Sequence, residues 1–473
     1  MIQRTFLLPA LIFWLATGVS AQKVWTLQEC IQRASERNLQ VQRARLSAQM
    51  AEEFAVQSRL NLLPSLNGSL GYFFNFGKTI DPTTNQFVQQ NIRTSSLSLS
   101  SGLTLIGGLQ KLNTVRQSDF DAKAVAATAE QKLQDQTFLV LSAFLQVILA
   151  KENQSLAQQQ LDLAQKQLER VERLVDAGSL TVAARYDAQA QRARQELLWV
   201  QRNNELQAAR LNLAHLLDLT ELPEVQMPDL TVPPAFDAIN QTWTDIYEIA
   251  LQRHPAVQAA MWQLRSAEAG LQVARGRLWP SISLFANIST NSSNLYRRFF
   301  IDSSSLNTQT IGFLATDFTP VINFFPSYSS REVGLFDQYA DNFGQAVGIS
   351  LDVPLFNNWQ SRHQVSRSKL QVLDAQIQLE QARQQLRVEV QNAWHNAVAA
   401  KNQYEASLET LAAVQKSFED AQRRLEAGAI TSYDFFQLFS SFQQAQSEVL
   451  QRKYQYIFNL KVLDFYQGKP FTF

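Results

Sequence analysis

The residue types that usually carry out chemistry are few and widely separated in this sequence. A single cysteine, Cys30, leaves no cysteine cluster, and the sequence shows neither a phosphate-binding loop nor a nucleophile elbow. The four histidines share no metal-binding spacing: His215, His254, His363 and His395. The sequence therefore predicts a protein that is not an enzyme and has no metal site or cofactor.

Two short turns with the same pattern form the clearest local motif. The segment from Val175 to Thr181 recurs from Leu425 to Thr431, 250 residues later. A glycine commonly ends a helix, and a threonine commonly caps the next one. We therefore predict two helical turns that present Gly178, Ser179, Leu180 and Thr181 in one case, and Gly428, Ala429, Ile430 and Thr431 in the other.

The turns belong to an internal repeat, which sets the architecture. Leu105 and Val140 recur as Leu355 and Val390 at the same offset of 250 residues, whereas upstream matches such as Pro64 with Pro280 have an offset of 216. The difference of 34 residues locates one long insertion in the second copy. We predict a signal peptide at 1–21, a first repeat at 22–241 and a second at 242–473.

Each repeat is predicted to run helix, strand, strand, very long helix, turn, helix. The opening helices break near Asn38 and at His254, and Pro64 and Pro280 end them. The predicted strands lie at about 65–77, 95–105, 281–290 and 343–354. The predicted helical hairpins lie at about 107–217 and 358–464. A connecting segment at about 218–241, called the equatorial segment below, follows the first hairpin, and a C-terminal tail follows the second.

The four strands alternate apolar residues with Ser, Asn, Gly and Thr. Strands of about 9–11 residues with this alternation suit the wall of a water-lined membrane barrel, although a soluble, half-buried sheet shows the same pattern. Four strands cannot close a barrel, because the smallest has about eight. A membrane role therefore requires oligomerisation. Two copies would give eight strands around a filled interior, and three would give twelve with room for water.

The loops between paired strands differ in length. Gly77 to Arg93 joins the first pair, and Thr290 to Asn342, which contains the insertion, joins the second. We expect the aromatic residues of the second loop to pack within it or at the membrane interface. A surface-capping or ligand-contacting role is the alternative. These residues are Phe299, Phe300, Phe313, Phe324, Phe325, Tyr328 and Phe336.

The long helices carry apolar stripes with a spacing of seven. One stripe includes Val140, Val147 and Leu168, and a parallel stripe of small residues runs from Ala143 to Ala164. A seven-residue repeat of this length predicts supercoiled helices with a buried seam. The apolar stretch from Phe138 to Ala150 is too short for a membrane span and is interpreted as a buried helix face.

The N-terminus and the overall charge indicate where the chain acts. Arg4, an apolar stretch and small residues before Gln22 are typical of a cleaved export signal, with an uncleaved anchor as the alternative. Lys and Arg together number 42, as do Asp and Glu, so net charge gives no reason to expect nucleic acid as a partner. Cys30 is predicted to be buried on a helix.

Together these residues resemble the TolC-like outer-membrane efflux proteins. The resemblance rests on the export signal, Thr-Leu-x-Glu-Cys in the opening helix, Leu-Pro-Ser before a strand, Val353 to Asn357 before the second long helix, and the two turns. It covers Lys23 to Gln467. It implies a mainly helical homotrimer whose twelve-stranded outer-membrane barrel continues as a twelve-helix periplasmic tunnel. A belt around that tunnel would include Leu219 to Thr242.

The resemblance also implies partners and site residues. It implies that the turns dock a periplasmic adaptor, that an inner-membrane transporter supplies the energy, and that the cargo is a drug, a metal or a protein. Asp434 matches an acidic position that lines the family's constriction, whereas Gln437 replaces a second acidic residue. Asp434 could equally be a first-turn carboxylate favoured by the helix dipole. After the turn of the first repeat, Ala184 holds the position equivalent to Asp434. Arg185 and Asp187 lie nearby and are expected to pair across helices in the closed state.

A non-transporting, surface-anchored coiled coil, similar to an adhesin, is the rival interpretation. Strands would then serve only as an anchor. Ion conductance separates the two, because only a duct conducts.

Overall fold

The computed structural model describes residues 24–227 and 241–469. The predicted signal peptide, most of the predicted equatorial segment and the end of the C-terminal tail lie outside these residues. The helices are α1 (Leu27–Arg37), α2 (Leu39–Leu60), α3 (Gln110–Asp176), α4 (Val182–Leu217), α5 (Trp243–Arg253), α6 (Pro255–Gly276), α7 (Leu335–Asp341), α8 (Gln360–Glu426) and α9 (Ser432–Tyr466). The strands are β1 (Val24–Trp25), β2 (Ser65–Asn75), β3 (Lys78–Ile80), β4 (Phe87–Gln89), β5 (Ile92–Gly107), β6 (Glu224–Val225), β7 (Ser281–Ser293), β8 (Arg297–Phe313), β9 (Pro320–Glu332) and β10 (Gly344–Asp352).

The chain divides into two compact units. The helical unit comprises Met1–Ala51, Ala122–Gln263 and Ala375–Phe473. The strand-containing unit comprises Glu52–Asp121 and Leu264–Asp374.

Side-chain caps set the starts of the opening helices in both repeats. Thr26 and Glu29 form a reciprocal capping box at the start of α1, and Thr242 and Asp245 form the same box at α5. Both helices then break at an extended residue, Asn38 after α1 and His254 after α5. The predicted breaks are therefore confirmed.

The longest helices, α3 and α8, have 67 residues each. At ~1.5 Å per residue each is about 100 Å long. Their predicted stripes supply much of the core of the helical unit. Val140 and Val147 of α3 and Val390 and Ala397 of α8 are fully buried.

One core cluster joins α1, α3 and α4 with Val225 of β6 and Tyr454 of α9. Phe144 of α3 packs in it with Leu213 and Leu217 of α4, and Cys30 is buried there as predicted. Part of α3 is apolar enough to cross a membrane by length and composition, but half of that window is buried within the chain. The burial of Phe144 and its neighbours identifies this stretch as core, as the sequence predicts.

A short parallel sheet ties the two ends of the first repeat together. Val24 and Trp25 of β1 pair with Glu224 and Val225 of β6. Arg33 of α1 adds a hydrogen bond from its Nε to the carbonyl of Leu217 at 2.9 Å. The sequence does not predict this sheet, because two-residue strands carry no measurable alternation.

The strand-containing unit holds a four-stranded antiparallel sheet in the order β10-β7-β5-β2. Its register places the predicted apolar residues on one face. Leu70 pairs with Leu97, Leu99 with Ile288, and Leu284 with Ile349. Most of these side chains are exposed in the single chain. The opposite face is formed mainly by Ser, Asn and Gly.

Two aromatic rings interrupt the polar face of this sheet. Phe285 of β7 lies over its cross-strand partner Gly348, so that a Cβ on this glycine would be 2.3 Å from the ring. Phe73 covers Gly71 in the same way. On this face glycine leaves the space into which each ring folds.

The long insertion is a β-hairpin, where the sequence predicts only a loop. β8 and β9 pair from Arg297 with Glu332 to Phe313 with Pro320. Phe299, Phe313 and Phe324 are more than 60% exposed, so they do not pack within the hairpin in the single chain, and their place at the membrane interface stays a prediction. The shorter loop also contains a small hairpin, β3 with β4.

A helix holds the insertion against the sheet. Tyr339 of α7 forms a 2.6 Å hydroxyl contact with Ser95 of β5, and the Gln338 side chain accepts a hydrogen bond from the Ser293 amide at 2.8 Å. Arg298 of β8 pairs with Asp341 of α7. These polar contacts fix the base of the hairpin.

Where β5 turns into α3, two glycines bring separate backbone segments into contact. Gly108 has a left-handed φ of 56°, and a Cβ there would lie 2.2 Å from the carbonyl oxygen of Gly276. A Cβ on Gly276 would lie 2.5 Å from the Gly108 carbonyl oxygen. Neither position has room for a side chain, so the contact depends on glycine at both.

Candidate functional site at the two helical turns

The first turn closes α3 with a regular helix-ending motif. Gly178 has a φ of 73°, and its amide donates to the Val175 carbonyl at 2.9 Å. The Ser179 amide donates to the Leu174 carbonyl at 2.8 Å. This pair of bonds is the Schellman motif, which satisfies carbonyls that the end of a helix leaves unpaired.

The second turn repeats this geometry at the end of α8. Gly428 has a φ of 67°, its amide donates to the Leu425 carbonyl at 3.1 Å, and the Ala429 amide donates to the Arg424 carbonyl at 2.8 Å. Gly178 and Gly428 are both exposed, as are Ser179 and Ala429. The two turns therefore offer the same small backbone surface.

Threonines start both returning helices, as predicted. The Thr181 hydroxyl accepts a hydrogen bond from the Ala184 amide at 3.4 Å, and the Thr431 hydroxyl accepts one from the Asp434 amide at 3.1 Å. Leu180 and Ile430, the residues before these caps, are partly buried in the clusters below the turns. The turns are thus anchored by one apolar residue each.

Asp434 lies in the first turn of α9, and its carboxylate is exposed. The Thr431 hydroxyl also donates to this carboxylate at 2.7 Å, so the side chain contributes to the helix cap. Gln437 is exposed one turn further along. In the first repeat Ala184 is buried where Asp434 is exposed, so the two turns differ in charge.

Arg185 pairs across the first hairpin within the single chain. Its guanidinium bonds to Asp176 at the end of α3, while Asp187 is exposed on α4. Because the Asp176 side chain is largely exposed, the pair adds at most about 1 kcal/mol. The pair links the two helices that the first turn connects.

The second turn rests on an aromatic cluster that the sequence reasoning did not identify. Phe418 of α8 stacks on Phe442 with 4.9 Å between ring centroids, and Phe435 and Phe439 of α9 complete the cluster. The equivalent residues of the first repeat are Leu168, Arg192, Arg185 and Gln189. The helical spacing of the phenylalanines in α9 was a signal that could have found them.

The two hairpins also contact each other below the turns. Phe436 of α9 packs on the first-hairpin cluster around Leu168 and Ala188. Further along, the Gln195 side chain of α4 donates to that of Gln443 of α9 at 3.0 Å, and both are buried. Phe436 and this pair of amides link the hairpins near the turns, and Tyr454 of α9 links them again in the core cluster of α3 and α4.

Among the described residues, no cluster of three or more His, Cys, Asp or Glu side chains is placed to hold a metal ion. What the turns present is exposed backbone, small side chains and one carboxylate.

Comparison with known proteins identifies the family. The family described as "Outer membrane efflux protein" matches residues 30–218 and 246–469, one segment in each repeat. Outer membrane efflux protein BepC of Brucella suis is 21% identical over 435 residues, which are 91% of this chain and 83% of that protein.

Solved structures show the same fold at low identity. CusC, whose study describes transmembrane channel formation, has a TM-score of 0.73 at 19% identity and covers 94% of this chain and 92% of its own. VceC from Vibrio cholerae has a TM-score of 0.72 at 16% identity and covers 94% of this chain and 97% of its own. The mainly helical fold with some strands is that of solved outer-membrane channels, and these relatives are channels rather than enzymes. The chain belongs to the outer membrane efflux protein family and is a protein of the outer membrane.

Proposed function

We propose that three copies of this chain form a passive export duct through the outer membrane. One observation carries the proposal, namely the four-stranded sheet with its apolar face exposed and both edges open. Among the described residues, β2 and β10 each pair with one strand only. The single chain therefore has a face suited to lipid and two edges that require a partner.

The backbone groups of an open strand edge find no hydrogen-bond partner in lipid, and each unsatisfied group costs several kcal/mol there. Pairing β10 of one copy with β2 of the next removes both edges. Three copies give twelve strands, enough for a water-filled interior lined by the face that carries Ser, Asn and Gly. Two copies would give eight strands around a filled interior, which suits a duct less well.

The long helices support a tunnel as a second part of the proposed duct. Each copy has four of them, α3, α4, α8 and α9, so three copies supply twelve. Their buried stripes hold each hairpin together, and the remaining surface carries mainly Gln, Arg, Lys and Glu. A polar surface of this kind is suited to contact with water inside and outside a tunnel.

The two turns are the proposed docking surface for a periplasmic adaptor and the proposed gate. Their exposed residues are Gly178, Ser179 and Thr181, with Gly428, Ala429 and Thr431. Three Asp434 carboxylates, one from each copy, would form a ring that attracts cations at the mouth. An adaptor opens the gate if it binds the open state more tightly than the closed state. An inner-membrane transporter then drives the cargo.

Conductance of the purified protein in a planar lipid bilayer tests this proposal. The wild-type protein is expected to give ion-permeable channels. The purified particle is expected to have the mass of three chains. Asp434→Asn, which keeps the side-chain shape and removes the charge, is expected to lower cation selectivity. Asp434→Ala also shortens the side chains that narrow the mouth, so it is expected to raise conductance. Glu419→Gln changes an exposed carboxylate of α8 away from the turn and is the control.

The outcomes separate the parts of the proposal. A sealed particle or a monomer would refute the duct. Channels that respond equally to Asp434→Asn and Glu419→Gln would refute the carboxylate ring and leave the duct intact. The rival surface-anchored coiled coil predicts no conductance, and membership in an efflux family does not favour it.

A further inference from the structure

A cavity of about 260 Å³ lies in the helical unit, beside the break between α5 and α6. Sites for drug-sized ligands occupy about 300–1,000 Å³, so this cavity suits a smaller molecule. Helices α3, α6, α8 and α9 and the residue at the break contribute to its wall. The charged and aromatic residues of this wall are Asp135, Phe138, His254, Glu389, Phe465 and Tyr466.

Aromatic rings form one part of the wall. Phe138 and Phe465 meet edge to face with 4.3 Å between ring centroids. The imidazole of His254 stacks on Tyr466, with centroids 6.2 Å apart and 20° between the ring planes. The faces of aromatic rings attract cations, and they do so more strongly where water is excluded.

Negative charge forms another part of the wall. Asp135 and Glu389 line the cavity, and no Lys or Arg belongs to the described residues that line it. The Glu389 carboxylate accepts hydrogen bonds from Gln385 at 2.9 Å and from the Tyr466 hydroxyl at 3.5 Å, so it is held in place. Lys132 reaches Asp135 from outside the cavity at 3.3 Å, but both side chains are about half exposed and the pair is weak.

His254 adds a hydrogen-bonding group without adding charge. Burial lowers the pKa of its imidazole below the ordinary value of 6.5, although Glu389 and Asp135 act to raise it. The ring is therefore neutral at neutral pH. Its Nδ1 is buried and has no hydrogen-bond partner among the described residues. In the tautomer protonated at Nε2, this nitrogen can accept a bond from an ammonium group.

The first repeat has no equivalent arrangement. At the corresponding break, the Asn38 amide donates to the Gln136 carbonyl at 3.1 Å, and the Gln136 amide donates to Gln40 at 3.3 Å. Leu139 and Leu216 occupy the positions that match Glu389 and Tyr466. The polar groups at the first break satisfy one another, whereas those at the second leave a charged, partly aromatic space.

We propose that this cavity binds a small organic cation with a primary ammonium group. The ammonium lies between the Glu389 and Asp135 carboxylates and donates to Nδ1 of His254. A short alkyl chain contacts Phe138 and Phe465. The proposal concerns a site in the helical unit and does not depend on the export role.

Titration of the full-length protein in detergent with n-butylammonium, followed by saturation-transfer NMR, tests the site. Neutral n-butanol is the matched ligand control. Glu389→Gln is expected to weaken butylammonium binding by about tenfold, because the carboxylate that pairs with the ammonium is lost. Glu419→Gln is the matched protein control, since Glu419 also accepts from a glutamine one turn earlier, at 3.0 Å, but lies outside the cavity.

His254→Asn provides a second variant, because asparagine already occupies the corresponding break in the first repeat. It keeps the fold if the break needs only a polar residue, and it is expected to weaken binding through loss of the imidazole acceptor and ring. Saturable binding of butylammonium that is reduced by Glu389→Gln and unchanged by Glu419→Gln supports the site. Absence of saturable binding, equal binding of butanol, or equal effects of the two glutamate variants would overturn it.

Discussion

Replacing Gly108 by alanine is expected to destabilise the joint between β5 and α3 strongly, although it adds only one methyl group. Two effects act together. The backbone has a φ of 56°, which alanine adopts poorly, and the new Cβ would lie 2.2 Å from the Gly276 carbonyl oxygen. The obstructing atom belongs to backbone, so no side-chain rotation relieves the overlap.

The size of the effect follows from these two contributions. The left-handed conformation costs alanine about 1–2 kcal/mol. Forcing a methyl group into a packed site costs about 1–3 kcal/mol more. The sum is about 2–5 kcal/mol. With an unfolding entropy of about 2.1 cal/mol/K per residue over 473 residues, the thermal midpoint should fall by about 2–5 °C.

Thermal loss of the helical circular dichroism signal, measured in detergent at one scan rate, tests this value. Gly276→Ala should lower the midpoint by less, because only the steric part applies at that position. Gly312→Ala is the control, since a Cβ there meets nothing within 4 Å and φ is not left-handed. A Gly108→Ala midpoint equal to that of Gly312→Ala would refute the reasoning.

Three further changes have expected outcomes. Burial lowers the pKa of His254, so this imidazole takes up a proton more readily in the unfolded chain than in the folded one, and the stability of the fold should decrease as the pH drops below about 6.5. His254→Asn should reduce this dependence of the thermal midpoint on pH. An unchanged dependence would contradict the lowered pKa of His254. Phe439→Ala should lower the free energy of unfolding by about 3–5 kcal/mol and speed protease cleavage near the second turn. Gln189→Ala, at the exposed matching position of the first repeat, should do neither. Equal cleavage rates of the two variants would contradict this expectation. Cys30 is 0% exposed and should react with a maleimide only after denaturation, so rapid labelling of the native protein would contradict its burial.

Features set by local chemistry were predictable from the sequence. Gly178 and Gly428 adopt the left-handed conformation that ends a helix, and Thr181 and Thr431 cap the next one. The alternation in β2 and β7 determines which residues lie on the apolar face of the sheet. This assignment holds for any strand register that keeps the apolar residues on the same side. Each of these depends on a few neighbouring residues.

Features set by contacts between distant residues were not predictable. The pairing of β8 with β9 requires Phe299 to lie opposite Ser330 across 31 residues, and the aromatic side chains of the insertion suggested a core that the single chain does not form. The partner of Arg185 proved to be Asp176, which is on another helix and nine residues away. The cavity beside His254 is lined by residues of four helices that are distant in sequence, so no local sequence pattern predicts it.

The open edges of β2 and β10 have a consequence for how stable this protein can be. A chain whose folded form is completed only by other copies has a stability that depends on how many copies are present. For the proposed assembly of three, dilution favours the separate chains by mass action, and it does so more steeply than for a dimer. Variants of this chain are therefore comparable only at equal protein concentration, and a modest fall in synthesis would deplete the assembled form disproportionately.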